Sequence, residues 1–229
     1  MDLSVICFLW GSWPGEGRGA DYVRRLRDAV ARNLPLPHRF IAFCDDGNAT
    51  AVAREGVEVR PLVPPSWRGC LPKLYAYSPD AGLSGRVLIL DLDNIIVGDL
   101  TPLARYSGPL AVRAQFRGWP TERVADGDMI GYEAGSEMAA RLWADATRDP
   151  AALEHSTGGR ERYFLRRYDP DLWQALLGSR AVLSYKRHMR GREDIPEGAR
   201  IISCHDGAAK RPTCRPHQLR EAWVRRHWR

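Results

Sequence analysis

Two carboxylates, Asp91 and Asp93, directly follow an apolar run at 86–90 that has the composition of a buried strand. On an extended backbone, residues i and i+2 point to the same side, so both side chains can reach one ion. Carboxylate oxygens are the ligands that Mg²⁺ and similar divalent cations take in proteins. The pair therefore predicts a metal site at the end of this strand. The alternative is a pair of solvated acids.

The Asp-x-Asp spacing is not specific by itself, because it occurs three times and chance gives roughly one occurrence. The sequence Asp169-Pro-Asp171 is typical of a turn that caps a helix, and Asp126-Gly-Asp128 is typical of a loop entering a strand. Asp91 and Asp93 differ from these pairs in context. They lie where a buried strand leaves the core, and two acids there are costly without a cation or a base.

A second group of polar residues follows the apolar run at 201–204. It consists of His205, Gly207 and Lys210. An imidazole added to two carboxylates favours Mn²⁺ over Mg²⁺. Gly207 permits a close backbone approach, and Lys210 can neutralise phosphate charge. We expect His205 to be a third metal ligand, and the alternative is a structural histidine followed by a surface turn.

The elements that would position these residues alternate between strands and helices. Strands are predicted at 3–9, 39–44, 57–63, 86–90, 109–113, 129–132 and 199–204. Helical spacing predicts helices at 20–33, 136–147, 172–177 and 217–228, the third capped by Asp171 and ended by Gly178. This alternation predicts an α/β fold, with helices around a central, mostly parallel mixed sheet. Ligands are then expected beyond the carboxyl ends of the strands.

Composition indicates an ordinary globular protein. The chain has 229 residues, of which 44% are hydrophobic and 27% charged, and this balance excludes a disordered or fibrous chain. The net charge of +6 is compatible with an anionic ligand, an acidic membrane surface or nucleic acid. No apolar run approaches the length of a membrane span. The five cysteines contain no CxxC pair, so a reducing cytoplasm is expected.

Several motifs together resemble a known family. They are the strand followed by Asp-x-Asp, the residues 95–103 after it, Pro72-Lys73-Leu74, and His-x-Gly-x-x-Lys-x-Pro at 205–212. In combination they resemble the nucleotide-sugar glycosyltransferases of the GT-A fold, and glycosyltransferase family 8 and its bacterial relatives most closely. The resemblance covers most of the chain. It implies a single GT-A, Rossmann-like domain over 1–229 that moves a sugar from a nucleoside diphosphate, expected to be UDP, to a glycan or other hydroxyl acceptor with retention.

The resemblance also implies roles for individual residues. The positions matching Asp91, Asp93 and His205 hold Mn²⁺, or Mg²⁺, on the nucleoside diphosphate. The position matching Lys210 contacts the phosphates. Further contacts with the donor are implied at Trp10, Gly11, Asp45, Lys73, Leu92 and Gly207.

Two segments depart from the family pattern. Asp126 stands where relatives usually have Asn, and Gly159-Arg160-Glu161 stands where they usually have Gly-Asp-Gln. Both segments ordinarily contact the transferred sugar or the acceptor. Front-face attack would need no enzymic nucleophile, because the leaving phosphate serves as the base. Double displacement would need a carboxylate beneath the sugar, and Asp126, Asp128 and Glu161 are the candidates.

Two other classes of function are compatible with the sequence. A phosphatase that forms an aspartyl-phosphate also places Asp-x-Asp after a strand, and it would act on a generic aryl phosphate. A non-catalytic basic module would bind nucleic acid or anionic lipid, with an affinity that falls steeply as salt rises. We expect the transferase instead, in the cytoplasm and without nucleic acid. Its basic C-terminal helix is expected to contact the inner face of the membrane.

Overall fold

The computed structural model describes residues 2–11, 18–63, 67–121, 124–204 and 215–229. Ten strands occur in these residues. They are β1 (Leu3–Leu9), β2 (Arg39–Cys44), β3 (Glu58–Pro61), β4 (Gly85–Leu90), β5 (Asn94–Ile96), β6 (Leu110–Ala114), β7 (Ala125–Ala134), β8 (Asp171–Leu172), β9 (Val182–Ser184) and β10 (Ile201–Ser203). Seven form one sheet in the order β3-β2-β1-β4-β7-β6-β8, and three form a smaller sheet in the order β5-β10-β9.

The large sheet is mixed, and four of its six strand pairs are parallel, including β6 with β8. Strand β1 pairs in parallel with β2 and β4, and β2 pairs in parallel with β3. Strand β7 runs antiparallel between β4 and β6. Every residue of β1 is buried, as expected for a central strand covered on both faces. The predicted mostly parallel, mixed sheet is therefore confirmed.

Helices and apolar side chains cover both faces of the sheet. The α-helices of the described residues are α1 (Arg18–Asn33), α2 (Asp46–Arg54), α3 (Thr101–Ala104), α4 (Glu137–Arg148), α5 (Pro150–Thr157), α6 (Glu161–Leu165), α7 (Trp173–Leu177) and α8 (Ala222–His227). One core cluster contains the buried stripe of α1, and a second contains that of α4. Within the described ranges, no helix combines the length and apolarity that crossing a membrane requires.

Two predicted helices differ from the structure. The predicted helix at 217–228 is shorter, because Pro216–Gln218 forms a separate 3-10 turn and α8 begins only at Ala222. The predicted cap Asp171 instead belongs to β8, which pairs with β6, and its carboxylate accepts a hydrogen bond from the Tyr106 hydroxyl at 2.7 Å. Non-local pairing has overridden the local capping signal there. Gly178 ends α7 as predicted.

The expected loop at Asp126-Gly-Asp128 is also wrong, because these residues lie within β7. The register of β6 against β7 shifts between Val112 and Arg113, so that Arg113 pairs with Asp126. A bulge of this kind turns side chains to a new direction. Here it accompanies an ionic contact between Arg113 and both aspartates.

A close approach within the large sheet provides a test of its packing. A Cβ atom on Gly131 of β7 would lie 2.6 Å from Cζ2 of the fully buried Trp173. We expect Gly131→Ala to lower the free energy of unfolding in urea by about 1–3 kcal/mol, through overpacking. The matched control is Gly47→Ala in α2, where the nearest atom is 3.8 Å away. The control should be neutral or slightly stabilising, and equal stability of both variants would contradict the packing.

Candidate active site

A pocket of about 340 Å³ opens at the carboxyl ends of β1 and β4. Its walls come from these two strand ends, from α1, from the 3-10 segment Leu71–Tyr77 and from Arg215. The lining residues are Phe8, Trp10, Tyr22, Cys70, Lys73, Asp91, Leu92, Asp93 and Arg215. Five of the residues predicted to bind donor or metal therefore share one pocket, at the sheet edge where ligands were expected.

A buried lysine organises the acidic side of this pocket. The Nζ of Lys73 lies 2.5 Å from Oδ1 of Asp91 and 3.1 Å from Oε1 of Glu161. It also donates a hydrogen bond of 3.2 Å to the backbone oxygen of Gly127. Lys73 and Glu161 are both buried, whereas 28% of the Asp91 side chain is exposed. Lys73 thus fixes Asp91 from behind while Asp91 still faces the pocket.

The same contacts set the charge states of the pair. Burial opposes the charged form of Lys73, but the carboxylates of Asp91 and Glu161 outweigh it and hold its pKa well above the usual value. Burial raises the pKa of Asp91, while the Lys73 ammonium opposes that shift. The nearby Asp128 carboxylate adds to the upward shift of the Asp91 pKa. A further cation at Asp91 would favour its ionised form.

Asp91 and Asp93 are chemically suited to a divalent cation. They lie in the link between β4 and β5, and both carboxylates line the pocket. No group of three or more His, Cys, Asp or Glu side chains in the described residues could by itself hold a metal ion. A cation here would therefore need further ligands, such as phosphate oxygens, water or His205. Hard cations that bind nucleotides commonly take only one or two protein carboxylates, so the pair fits this use.

Three of the predicted residues, His205, Gly207 and Lys210, lie outside the described residues. Described residues on either side of this segment lie at or beside the pocket. Ser203 pairs with Asn94, the neighbour of Asp93, and Arg215 lines the pocket itself.

A second ionic cluster lies behind the pocket and is centred on Arg113. Its side chain is buried, and its guanidinium contacts Asp126 at 2.8 Å and also contacts Asp128. The other oxygen of Asp128 accepts a hydrogen bond of 2.6 Å from the Ser203 hydroxyl. The backbone oxygen of Asp128 accepts hydrogen bonds from the Asp91 amide and from the Asn94 side chain, both at 3.0 Å. Asp128, in β7, thus connects the residue that follows β4 with β5, β6 and β10.

The candidate carboxylates Asp126, Asp128 and Glu161 are all paired with cations in this arrangement. Burial would raise the pKa of Asp126, but Arg113 and Arg162 outweigh it and lower the pKa below the usual value. None of the three carboxylates lines the pocket in the part of the chain that the structure describes. They hold Arg113 and Lys73 in place at the back of the site.

The other predicted donor residues, Trp10, Gly11 and Asp45, lie at the rim formed by β1 and β2. Trp10 is half-buried and packs edge-to-face on Phe8, with ring centroids 6.4 Å apart. The Asp45 carboxylate caps α2 and accepts a hydrogen bond of 2.7 Å from the amide of Gly11. Gly11 has a φ of +69°, a conformation that favours glycine. Gly11 and Asp45 therefore fix the backbone that presents Trp10.

Several residues of the site were missed by sequence reasoning. Arg113 lies in an apolar strand, and an isolated Arg in such a run was the only signal of a buried charge. Phe8 and Tyr22 belong to apolar patterns that predict core residues. Both side chains are buried in the core, and both also line the pocket. Arg215 is one of several arginines in the C-terminal region, and no local pattern distinguishes it from the others.

The burial of Arg113 leads to a stability test. We expect Arg113→Met to lower the free energy of unfolding by about 3–5 kcal/mol, because it leaves the buried Asp128 and the half-buried Asp126 without their guanidinium. The control is Arg148→Met, which removes an ion pair with Asp145 whose arginine side chain is 75% exposed. That loss should stay below about 1 kcal/mol in urea unfolding.

The effect of Arg113→Met should also depend on pH. Because the pKa of Asp126 is lowered in the folded wild type, the stabilisation from this pairing is present above the unfolded pKa. It is lost as the pH falls through the folded pKa. The difference between wild type and variant should therefore narrow below about pH 4. A difference that is constant from pH 3 to pH 7 would contradict the pairing.

Comparison with known proteins places the fold. No protein-family model matches the sequence, and no curated protein sequence matches it. Many solved structures resemble it, and two of them are described. The glycosyltransferase GlyE from Streptococcus pneumoniae TIGR4 matches with a TM-score of 0.64 and 14% identity, over 99% of this chain and 59% of GlyE. The chain thus spans less than two thirds of the length of GlyE.

The galactosyltransferase LgtC, solved with donor and acceptor sugar analogs, matches with a TM-score of 0.63 and 13% identity. The match covers 98% of this chain and 93% of LgtC. At these identities the likeness concerns the fold. The chain therefore has the GT-A fold of these glycosyltransferases, as the sequence resemblance implied.

Proposed function

We propose that this protein is a metal-dependent glycosyltransferase that takes a sugar from a nucleoside-diphosphate sugar and attaches it to a hydroxyl acceptor. The observation that carries the proposal is the pocket at the strand ends of a glycosyltransferase fold. Two carboxylates, Asp91 and Asp93, a buried cation, Lys73, and an aromatic side chain, Trp10, line it together. This combination suits a ligand with an aromatic base at one end and a diphosphate at the other.

Asp91 and Asp93 would hold the divalent cation, and His205 is proposed as its third protein ligand. When bound, Mn²⁺ or Mg²⁺ supplies positive charge beside the diphosphate. Lys73 and Glu161 keep Asp91 in place, so the carboxylate does not have to reorganise when the donor binds. Lys210 and the backbone at Gly207 are proposed to contact the phosphates. Trp10, together with Leu92, would bound the nucleoside.

We place the chemistry at the anomeric carbon of the donor. The acceptor oxygen forms a bond to this carbon, the bond from the carbon to the diphosphate breaks, and the hydroxyl proton passes to the departing diphosphate. This route retains the anomeric configuration and needs no enzymic nucleophile. It is supported by the pairing of Asp126, Asp128 and Glu161 with Arg113 and Lys73. In this proposal the three carboxylates position other groups.

UDP is the proposed nucleotide, and a glycan is the proposed acceptor. The LgtC structure was solved with donor and acceptor sugar analogs. That supports a donor and an acceptor of the same general kind for this chain.

A thermal-shift experiment tests donor binding. UDP with Mn²⁺ should raise the melting temperature, and a nucleotide at about 100 times its Kd stabilises the native state by about 2.7 kcal/mol. EDTA should remove most of the shift, because the two carboxylates repel the diphosphate without a cation between them. No shift with UDP, ADP or GDP, with or without Mn²⁺, would contradict the proposal.

Hydrolysis of UDP-sugars in the presence of Mn²⁺ tests the carboxylate pair. We expect Asp93→Ala to lower the rate by at least about 100-fold, as losses of preorganised charge in active sites commonly do. The control is Asp80→Ala, which removes an exposed aspartate outside the pocket. Both variants should keep the wild-type circular dichroism. Wild-type activity in Asp93→Ala, or turnover of an aryl phosphate instead of a UDP-sugar, would overturn the assignment.

A further inference from the structure

A second pocket, of about 480 Å³, lies on the small sheet and is strongly basic. It is formed around the single π-helical turn Tyr185–Met189, which follows β9 directly. The lining residues are Arg180, Leu183, Lys186, Arg187, His188, Arg190, Arg192 and Pro196. None of them lines the candidate active site. Five are lysine or arginine, and no acidic residue is among them.

The amine of Lys186 is the central observation. Its Nζ is buried and has no hydrogen-bond partner in the part of the chain that the structure describes. A polar group that is removed from water without a partner is costly, and a charged group is more costly still. Lys186 lines the pocket, so an anion bound beside its amine would supply the missing partner.

The arginines of the pocket are also available to a ligand. Across the described ranges, no carboxylate lies within 4 Å of the side-chain nitrogens of Arg180, Arg187, Arg190 or Arg192, although most arginines of α1 form such pairs. Acidic residues do occur in the neighbouring segment, at Glu193, Asp194 and Glu197, and they are exposed. They form no ion pair with the pocket within the described residues. The pocket therefore presents uncompensated positive charge.

The remaining polar group, His188, is oriented as a donor. Its Nδ1 accepts a hydrogen bond of 2.9 Å from the backbone amide of Ser184, so the neutral ring carries its proton on Nε2. Burial, with Arg187 and Arg192 nearby, lowers the pKa of His188 and favours this neutral form. All the polar side chains that line the pocket can thus donate hydrogen bonds.

We infer that this pocket binds a phosphate group carried by a small molecule or by a lipid head group. Guanidinium groups bind phosphate with paired hydrogen bonds, and a lysine adds a point charge. A dianion compensates several converging cations better than a single carboxylate does. The volume leaves room for part of the molecule that carries the phosphate. The inference goes beyond the proposed transferase function and does not depend on it.

The pocket is nevertheless connected to the candidate active site. The ring of His188 packs edge-to-face on Phe116 with centroids 5.7 Å apart, and the guanidinium of Arg113 lies 4.2 Å from the centre of the Phe116 ring. Arg113 in turn holds Asp126 and Asp128. His188 and Phe116 therefore form a chain of ring contacts from the basic pocket to Arg113.

The test uses the full chain in chloride buffer at constant ionic strength, without nucleotide or divalent metal. Binding of inorganic phosphate and of glucose 6-phosphate is measured by calorimetry. Binding to phosphatidylcholine vesicles with and without phosphatidic acid is measured by co-sedimentation. The variants are Lys186→Met and, as a control with the same change in charge, Arg54→Gln. Arg54 is exposed at the end of α2, away from the pocket.

We expect saturable binding of phosphate to the wild type, weakened about tenfold or more by Lys186→Met and unchanged by Arg54→Gln. Tighter binding of glucose 6-phosphate would identify a soluble phosphorylated ligand. Binding to phosphatidic acid vesicles that Lys186→Met abolishes would identify a lipid head group, and either result supports the site. No saturable binding of any probe, or equal losses in both variants, would overturn it.

Stability in phosphate-free buffer separates a binding role from a structural one. Because the Lys186 amine is buried without a partner, Lys186→Met should melt at the wild-type temperature or above it. Phosphate should then raise the melting temperature of the wild type and not that of the variant. A variant that melts below the wild type without phosphate would assign Lys186 to folding and overturn the inference. The outcome is independent of transferase activity, because no donor is present.

Discussion

The structure depends on the compensation of charge where the strands of the large sheet end. Acidic side chains converge there, and those that are buried are held by two buried cations, Lys73 and Arg113. Removing any one member would leave its partners charged in a poorly solvated place, at a cost of several kcal/mol. Because the total stability of a domain is only about 5–15 kcal/mol, these pairs constrain the whole fold.

Asp128 shows how this constraint also builds the site. Its carboxylate joins Arg113 on the large sheet to Ser203 on the small sheet. Its backbone oxygen accepts a hydrogen bond from the amide of Asp91, the residue that follows β4 and lines the pocket. The direction of Asp91 is therefore set by hydrogen bonding to the neighbouring strand as well as by Lys73. The pocket can be acidic only because the layer behind it is neutralised.

Much of the fold could be predicted from the sequence, because apolar periodicity is local. Strands β1 and β2 lie at the predicted residues, and α4 begins one residue after its capping serine, Ser136. The errors occur where distant residues decide the outcome. The local sequence predicts a helix cap at Asp171, but this residue belongs to β8 and pairs with β6. It predicts a loop at Asp126, but this residue lies in β7 opposite Arg113.

The same distinction applies to the candidate site. Strand ends and the i, i+2 rule were enough to single out Asp91 and Asp93 as a pair. No spacing could bring Lys73 to Asp91, and that residue was singled out only through resemblance to a family. Arg113 could not be found in either way. Its partners are on an adjacent strand, and a buried arginine in a chain with 31 arginines has no distinctive local signal.

The ionic clusters have a consequence for how such a sequence can diverge. Lys73 forms ion pairs with both Asp91 and Glu161. Arg113 forms ion pairs with both Asp126 and Asp128. Replacing one member of either group leaves a charged partner without its counterion, whereas replacing a cation and a carboxylate together removes both charges. Substitutions at the three positions of each cluster should therefore occur together in related sequences. Each cluster would then evolve as one unit and not as three independent positions.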